Sequence, residues 1–338
     1  MSIVKSKEIH LVSRPNGEPS AENFLVKEVE IKEVIENEVL VKNLWMSVDP
    51  YMRGRMIDRK SYVPPFELGK TLEGGAIGIV IKSKCPDFKE GDFVNSNFGW
   101  REYFTAEGKY LQKVNPDIGP LQAYLGTLGM PGMTAYVGLL RIGNLKEGDK
   151  VMISAAAGAV GTVASQIAVA KGCEVFGTAG SDEKCSFLEE DLGLTKAINY
   201  KTCGHLIKSF HSACPNGVDV YFENVGGSHL EAALSIMRPN GRIALCGMIE
   251  QYNDTAPRPG PNNLMAAIAK SLKIEGFIVS NHSDLSEKFL TDMKSWIDSG
   301  KMQWKETIDE GIESAPGAFL KLFKGQNFGK MLVKIADK

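Results

Sequence analysis

The sequence predicts a two-domain α/β protein in which a doubly wound parallel sheet is joined to a smaller β-rich domain. Three observations support this fold class. The first part of the chain carries short β-prone runs separated by Gly, Pro and Asp turns, whereas strand and helix patterns alternate from about Gly132 onward. A buried strand at Val151–Ala155 leads through a glycine-rich turn directly into a helix. In addition, 338 residues are too many for one ordinary hydrophobic core.

The β-prone runs of the first part predict a small barrel-like domain, because they are short and regularly interrupted by turn residues. The tail of the chain returns to strand, with a short helix at Ala315–Lys324 and a last strand at Lys330–Ile335, and is suited to completing this domain. The predicted runs of the first part are Phe24–Ile31, Glu38–Met46, Gly75–Ser83, Phe93–Asn97 and Trp100–Thr105.

The second part contains six strand candidates, most of them followed by a helical pattern. Such alternation predicts a parallel sheet with helical connections, and a further helix is expected around Leu285–Ser299. The strand candidates are Val151–Ala155, Glu174–Thr178, Ala197–Tyr200, Val218–Asn224, Arg242–Cys246 and Ile274–Val279.

Composition narrows the class of protein. A formal net charge of −2, few histidines and no basic run give no support for nucleic-acid or anionic-membrane binding. The start of the chain lacks a signal-peptide pattern, and no apolar stretch reaches membrane-spanning length, so a cytoplasmic protein is expected. The six cysteines form no C-x-x-C pair and no Cys/His cluster, which argues against structural zinc and disulfides; Cys85 and Cys203 are expected to be the more exposed thiols.

The turn after the first strand of the second part resembles a cradle for a dinucleotide phosphate. It has the pattern Ala156-x-Gly158-x-x-Gly161 and opens an apolar-periodic helix that ends at Gly172. Small residues allow a tight turn and a close approach of the backbone to a pyrophosphate, and the helix directs N–H groups at it. An ordinary glycine-rich helix start is the alternative, but the complete strand–turn–helix–strand unit favours nucleotide binding.

The preferred cofactor follows from a missing acid. A site for NADH places a carboxylate at the end of the second strand, where it holds both ribose hydroxyls. Here that strand ends in Gly177-Thr-Ala-Gly-Ser181, and the first carboxylate is Asp182. A 2′-phosphate would meet the small turn and Lys184 one helical turn later. Taken alone, Lys184 is more simply a solvated helix lysine, but together with the absent acid it favours NADPH.

Eight segments spread over nearly the whole chain resemble the zinc-independent medium-chain dehydrogenase/reductases, in the group of the prostaglandin reductases and bacterial NADPH-dependent curcumin reductases. So many motifs in register make the resemblance specific. The segments are SVDPYMRG (47–54), GMTAY (132–136), AAAGAVG (155–161), AGSDEK (179–184), INY (198–200), FENVGG (222–227), CGMIEQY (246–252) and QNFGK (326–330).

The resemblance implies a GroES-like catalytic domain in residues 1–127, a Rossmann NADPH-binding domain in residues 128–313 and a C-terminal return to the catalytic domain in residues 314–338. It also implies NADPH-dependent reduction of the carbon–carbon double bond of α,β-unsaturated ketones and aldehydes, and a homodimer. Carried over position by position, it implies cofactor contacts from Gly158, Ala159, Val160, Gly161, Lys184, Tyr200, Asn224, Cys246, Tyr252 and Asn327.

The chain departs from the zinc alcohol dehydrogenases of the wider superfamily at the metal site. Those enzymes place a cysteine ligand where this chain reads Trp45-Met-Ser-Val-Asp49, and a Gly-His-Glu motif where it reads Lys70-Thr-Leu-Glu-Gly74. Without a Lewis acid the usual means of polarising an alcohol or ketone is lacking. Delivery of a hydride to the β-carbon of an enone instead leaves charge on an enolate oxygen, which neutral donors can stabilise. No metal is therefore expected.

Two tyrosines are candidates for this donor, since a tyrosine hydroxyl is ordinarily protonated at neutral pH. Tyr252 follows the Arg242–Cys246 strand at the carboxyl edge of the sheet, where ligands of open α/β folds bind. A catalytic role is favoured there over packing. Tyr51 follows Asp49-Pro50, and for this residue a catalytic role and simple packing are equally favoured. For Arg53 and Arg55, surface ion pairs are favoured over attraction of a carboxylated substrate.

Two alternatives to enone reduction remain open. The same scaffold supports an NADPH quinone oxidoreductase, and the chain also fits a non-catalytic NADPH-binding protein. Residues 251–263, rich in Pro, Gly and Asn, predict a mobile loop near Tyr252 that gates the substrate or merely connects two elements. The strand at Ile274–Val279 is expected at a sheet edge, where pairing with a second copy would form a dimer.

Overall fold

The computed structural model of the protein describes residues 4–338, which group into two compact units. The first unit comprises the residues up to Leu125 together with Glu306–Asn327 and Met331–Lys338. The second comprises Gly126–Lys305 and the short return Phe328–Lys330.

Strands occur in both units. In chain order they are β1 (Lys5–Leu11), β2 (Phe24–Glu30), β3 (Glu38–Ser47), β4 (Ala76–Ser83), β5 (Phe93–Ser96), β6 (Tyr103–Glu107), β7 (Gln112–Lys113), β8 (Lys150–Ile153), β9 (Glu174–Ala179), β10 (Lys196–Asn199), β11 (Val218–Glu223), β12 (Met237–Leu245), β13 (Lys273–Gly276), β14 (Glu306–Glu310) and β15 (Lys330–Lys334).

Most α-helices belong to the second unit, and two of them run into short π-helical turns at Gly138–Ile142 and Phe187–Asp191. The α-helices are α1 (Met52–Arg55), α2 (Met130–Val137), α3 (Ala159–Ala170), α4 (Asp182–Ser186), α5 (Leu206–Ala213), α6 (Gly227–Ile236), α7 (Ala266–Ala269), α8 (Ser286–Asp298) and α9 (Ala315–Phe323).

The first unit is built from antiparallel pairs. β1 and β2 form a two-stranded sheet, and a larger sheet has the order β14-β15-β3-β4-β5-β7, with β6 also paired to β3. Helix α9 contributes Phe319 and Leu322 to an apolar core that also contains Ile9 and Leu11 of β1. The C-terminal tail therefore supplies both a strand and a helix to this unit.

The second unit contains a six-stranded sheet of order β10-β9-β8-β11-β12-β13, in which the strands pair in parallel. The chain moves outward from β8 to β10, then returns and moves outward in the other direction from β11. Because parallel crossovers are right-handed, this reversal puts helices on both faces. The point of reversal lies between β8 and β11, and ligands of such sheets bind beside the carboxyl ends of the strands there. The predicted fold class is confirmed.

Apolar strands made this sheet predictable. Val151, Met152 and Ile153 of β8 are fully buried, as expected for a strand covered on both faces. The edge position predicted for the sixth strand is confirmed by β13, although the strand ends at Gly276 and a 3-10 turn follows from Val279.

Two features of the first unit differ from the prediction. Strand β1 was missed because its buried positions include Ser6, Glu8 and His10, so no apolar alternation marks it. Cys85 was expected to be exposed, but it is only 8 % exposed and packs in the core formed with Val80 and Phe104, whereas Cys203 is half-buried. A short thiol between β-prone runs packs like a small hydrophobic residue.

Candidate functional site

The glycine-rich turn between β8 and α3 has the geometry of an anion site. Gly158 is the residue before the helix, and Ala155 adopts a left-handed conformation with φ of 48°, which tightens the turn. At Gly161 a Cβ atom would lie 2.2 Å from the carbonyl oxygen of Ala155, so only glycine allows α3 to begin so close to β8. The first-turn amides of α3, which include those of Ala159 and Val160, have no partner within the helix and can receive a phosphate.

The C-terminal return closes over this turn. The amide of Gly329 donates to the carbonyl oxygen of Ala157 at 2.9 Å, and Gly329 forms a parallel bridge with Gly158. A Cβ atom at Gly329 would clash with the backbone of Lys305, so glycine is required there as well. The backbone of Gly329, two residues after the predicted cofactor contact Asn327, is thus hydrogen-bonded to the glycine-rich turn.

The carboxyl ends of β9 and β10 bring Gly180, Lys201 and Tyr200 together. The position of a Cβ atom at Gly180 would be 3.1 Å from the Tyr200 hydroxyl and 3.3 Å from Cε of Lys201. Ser181 caps α4 by accepting a hydrogen bond from the amide of Lys184 at 3.3 Å. This end of the sheet has a small turn, a helix start and an aromatic ring, as a site for an adenosine phosphate requires.

Asp182, the first carboxylate after β9, is engaged in a hydrogen bond. Asp182 Oδ1 accepts a hydrogen bond from the Asn199 side-chain amide at 2.7 Å. The carboxylate that directly follows the second strand of the sheet is therefore held by β10 rather than directed at the two ribose hydroxyls.

Positive charge is concentrated at the same place. Burial lowers the pKa of Lys184, and the neighbouring charge of Lys201 lowers it further. Lys184 Nζ lies 6.0 Å from the centre of the Phe328 ring, and Lys305 Nζ lies 4.9 Å from it. Like charges repel when they are held together, and a bound anion relieves that repulsion.

Sequence reasoning missed two of these lysines. Lys201 directly follows Tyr200, which was the one available signal. Lys305 is more than a hundred residues away along the chain and reaches the cluster through the return at Phe328. No local pattern could have indicated it.

The carboxyl ends of β11 and β12 carry a second group of predicted residues. The side-chain amide of Asn224 donates to the carbonyl oxygen of Ser154 at 2.8 Å. The amide of Cys246 donates to the carbonyl oxygen of Glu223 at 2.9 Å. The Tyr252 hydroxyl lies 3.2 Å from the position that a Cβ atom of Gly247 would take. Asn224, Cys246 and Tyr252 are therefore neighbours at one end of the sheet.

An open cavity of about 600 Å³ adjoins this group, which is within the range of small-molecule sites. Burial raises the pKa of the Cys246 thiol to about 12, so the thiol keeps its proton at neutral pH and is a poor nucleophile. The cavity is lined by Leu245, Cys246, Gly247, Met248, Glu275, Gly276, Phe277, Ile278, Asn281 and His282.

The predicted mobile loop after Tyr252 is tied down at one point. Arg258 donates to Glu250 Oε1 at 2.5 Å and to Asp254 Oδ1 at 2.8 Å. The three side chains are partly exposed, so the pairs are sensitive to salt. Gating by the loop stays a prediction.

Tyr51 belongs to the first unit, where it follows β3 and precedes α1. Burial raises the pKa of its hydroxyl, and the neighbouring Asp49 raises it further, so the side chain keeps its proton. Arg55 forms the expected ion pair with Glu73, with 2.8 Å between Nη2 and Oε2. Arg53 differs from the prediction, because it is only 2 % exposed and donates to the carbonyl oxygen of Gly17.

Residues 4–338 contain neither a metal-binding cluster nor a membrane-spanning helix. No group of three or more His, Cys, Asp and Glu side chains is arranged to hold a metal ion. No helix in the same range has the length and apolar character needed to cross a membrane.

The predicted residues of the second unit follow the order of the strands. Lys184 and Tyr200 lie after β9 and β10, and the glycine-rich turn follows β8. Asn224 follows β11, and Cys246 and Tyr252 follow β12. An extended dinucleotide has phosphates in the middle and a ring at each end. Its adenosine phosphate fits the lysine end, and its pyrophosphate fits the first turn of α3.

Two known protein families match segments of the chain. Residues 7–114 match the family described as the N-terminal domain of oxidoreductase, and residues 159–295 match the family described as zinc-binding dehydrogenase.

Three curated relatives match almost end to end. A putative NADP-dependent oxidoreductase of Bacillus subtilis is 46% identical, with 98% of both chains covered. The NADPH-dependent curcumin reductase of Escherichia coli is 39% identical, with 96% of both covered. Prostaglandin reductase 1 of the mouse is 42% identical, over 98% of this chain and 100% of the relative.

A solved structure gives the same result in three dimensions. CurA of Vibrio vulnificus, in complex with NADPH, superposes with a TM-score of 0.93 at 38% identity, over 98% of this chain and 100% of that chain.

Proposed function

The chain belongs to the medium-chain dehydrogenase/reductases, in the group of the prostaglandin and curcumin reductases, and from this we propose that it reduces the carbon–carbon double bond of α,β-unsaturated ketones and aldehydes with NADPH. The observation that carries the proposal is the order of the site along the sheet edge. A lysine pair, a glycine turn and an amide–tyrosine group follow one another along the sheet edge in the order that the parts of NADPH require.

The proposed cofactor residues are those that the family resemblance indicates. In the second unit, the first-turn amides of α3 would receive the pyrophosphate, Lys184 and Tyr200 the 2′-phosphate, and Asn224 the nicotinamide end. The full set is Gly158, Ala159, Val160, Gly161, Lys184, Tyr200, Asn224, Cys246, Tyr252 and Asn327.

When bound, NADPH supplies the hydride that is added to the β-carbon of the enone. The protein's part is to stabilise the charge that develops on the carbonyl oxygen and to supply a proton. We propose Tyr252 for this role, since its hydroxyl lies beside the backbone of Gly247 near the carbonyl oxygen of Asn224. Tyr51, which keeps its proton, is the second candidate.

The proposed chemistry needs no metal. The segments at positions 45–49 and 70–74 contain none of the cysteine and histidine ligands that zinc alcohol dehydrogenases place there. A hydroxyl donor is sufficient for conjugate addition, because charge on an enolate oxygen is more easily stabilised than charge on an alkoxide.

A substrate panel tests the proposed function against its alternatives. We expect purified protein to oxidise NADPH when an enone or enal is added, with loss of the conjugated double bond. Formation of a hydroquinone from a quinone, with no turnover of enones, would identify a quinone oxidoreductase instead. Tight NADPH binding without consumption by any member of the panel would identify a binding protein.

The finer proposals concern assembly and location. We propose a homodimer, because β13 is an edge strand and the neighbouring Met265 and Ile268 are 77% and 82% exposed. We also propose a cytoplasmic location, because all six cysteines are free thiols, as is usual in a reducing compartment.

A further inference from the structure

Glu223, the last residue of β11, is a carboxylate with no exposure to solvent. Burial of an ionisable group in the middle of a sheet is costly unless hydrogen bonds compensate for the lost hydration. Here Oε1 accepts two hydrogen bonds of 2.7 Å, one from the Ser154 hydroxyl and one from the amide of Val225. The carboxylate therefore joins the end of β8 to the turn that follows β11.

Ser154 is also hydrogen-bonded to Asn224. Its hydroxyl oxygen accepts a hydrogen bond from the Asn224 amide at 2.8 Å, and its carbonyl oxygen accepts one from the Asn224 side-chain nitrogen, also at 2.8 Å. Both the backbone and the side chain of Asn224 are thus fixed by one buried serine. The side-chain nitrogen is engaged within the protein, which makes the amide oxygen the part of Asn224 that can accept a hydrogen bond from a ligand.

The backbone of Glu223 reaches the third strand. Its carbonyl oxygen accepts hydrogen bonds from the amides of Cys246 and Gly247 at 2.9 and 3.0 Å. Gly247 in turn leaves room for the Tyr252 hydroxyl, because a Cβ atom there would come within 3.2 Å of it. One buried residue therefore joins the carboxyl ends of β8, β11 and β12.

We propose that Glu223 and Ser154 are positioning residues, which hold Asn224 and the end of β12 in the arrangement that binds the nicotinamide half of NADPH. The inference rests on the proposed function and adds to it two residues that touch neither the substrate nor the phosphates. Because the network lies at the β11–β12 end, it acts on one half of the cofactor. The lysine end at β9 and β10 is held by separate contacts.

The test is the substitution Ser154→Ala, with Ser165→Ala as the matched control. Both serines are fully buried, but the hydroxyl of Ser165 has no hydrogen-bond partner within residues 4–338. Dissociation constants are measured by titration without substrate, for NADPH and for 2′,5′-ADP, which carries only the adenosine end.

We expect Ser154→Ala to weaken NADPH binding about tenfold, which corresponds to loss of about one hydrogen bond, and to leave 2′,5′-ADP binding unchanged. Ser165→Ala is expected to change neither. If NADPH and 2′,5′-ADP both bound equally more weakly, the inference would be overturned, because a general loss of structure does not distinguish the two halves of the site. Unchanged binding of both ligands would also overturn it, because the serine would then not position the nicotinamide half.

Glu223→Met, which removes the oxygen that accepts both hydrogen bonds, provides a second variant if Ser154→Ala does not fold, and the same selective loss is expected. The outcome is separable from that of the proposed function. If wild-type protein binds NADPH but reduces no enone, the proposed activity fails while the binding comparison still decides the role of these two residues.

Discussion

At the scale of single residues, the lysines around Gly180 are the proposed determinants of cofactor choice. Lys184 and Lys201 lie close enough for the charge of one to lower the pKa of the other, and the nearby Asp182 is hydrogen-bonded to Asn199. A 2′-phosphate would be attracted by both ammonium groups, whereas the hydroxyl of NADH would gain nothing from them.

We therefore expect Lys184→Ala and Lys201→Ala each to raise the KM for NADPH, to leave kcat nearly unchanged at saturation and to narrow the preference over NADH. A phosphate contact far from the reacting carbon contributes mainly uniform binding. Steady-state kinetics with both cofactors measure this, with the exposed Lys208→Ala as control. Equal losses with NADPH and NADH would mean that the lysines stabilise the fold rather than bind the phosphate.

Tyr252→Phe tests the proposed proton donor. The ring is kept, so cofactor binding should remain near normal, while the hydride step slows because one donor to the developing enolate is lost. Such assistance is typically worth about 10²- to 10⁴-fold, and the lower end is expected since water can partly replace the hydroxyl. Single-turnover reduction of an enone measures the step. A variant that reacts at the wild-type rate would assign Tyr252 to packing and move attention to Tyr51→Phe.

His229 carries a residue-scale prediction about stability. It lies in the first turn of α6, 3% exposed, with its ring edge-on to Tyr200, and burial lowers its pKa to about 4. Between that value and its ordinary pKa near 6.5, the unfolded chain binds a proton that the folded protein does not. The contribution to the free energy of unfolding is therefore complete above about pH 6.5 and is lost as the pH falls toward 4.

When the pH is lowered from 7 to 5, we expect the free energy of unfolding of the wild-type protein to fall by about 2 kcal/mol more than that of His229→Phe. Urea unfolding at the two pH values provides the measurement, and the exposed His211→Gln is the control that should behave like wild type. The same pH dependence in wild type and His229→Phe would show that this histidine is not the responsible group.

At the scale of elements, the sequence was most informative where local pattern and burial agree. Most residues of β8, β9 and β11 are buried, and α3 has a glycine entry and an apolar stripe, so the positions of these elements followed from the residues. Strand β1 escaped prediction because it buries polar side chains such as Glu8 and His10. The candidate site shows the same contrast. Gly158 and Lys184 could be predicted from the local sequence, whereas Lys305 and Ser154 join the site through tertiary contacts that no local pattern indicates.

Strand β13 gives the element-scale prediction. It reads Lys273-Ile274-Glu275-Gly276, and antiparallel pairing with a second copy about an axis at Ile274 would place Lys273 opposite Glu275 of the partner subunit. We expect light scattering at micromolar concentration to give the mass of a dimer. Ile274→Pro disrupts the strand at this edge and should shift the protein toward monomer. A wild-type protein that is monomeric throughout would contradict the assignment.

At the scale of the whole molecule, the proposed chemistry depends on the missing zinc ligands in the first unit and on the proposed cofactor site in the second. The second unit supplies a cofactor site ordered along its sheet, and the first contains no zinc-ligand pattern at positions 45–49 or 70–74. The central claim is therefore that the protein reduces the double bond of an enone with NADPH and does so without a metal ion.

Product analysis after exhaustive chelation tests that claim most directly. Protein treated with EDTA is incubated with NADPH and an α,β-unsaturated ketone, and the product is identified by mass spectrometry and NMR. The account predicts undiminished activity and a saturated ketone with its carbonyl group retained, because hydride is added to the β-carbon and a hydroxyl donor suffices. An allylic alcohol as the main product, or activity that is lost with EDTA and restored by zinc, would contradict it.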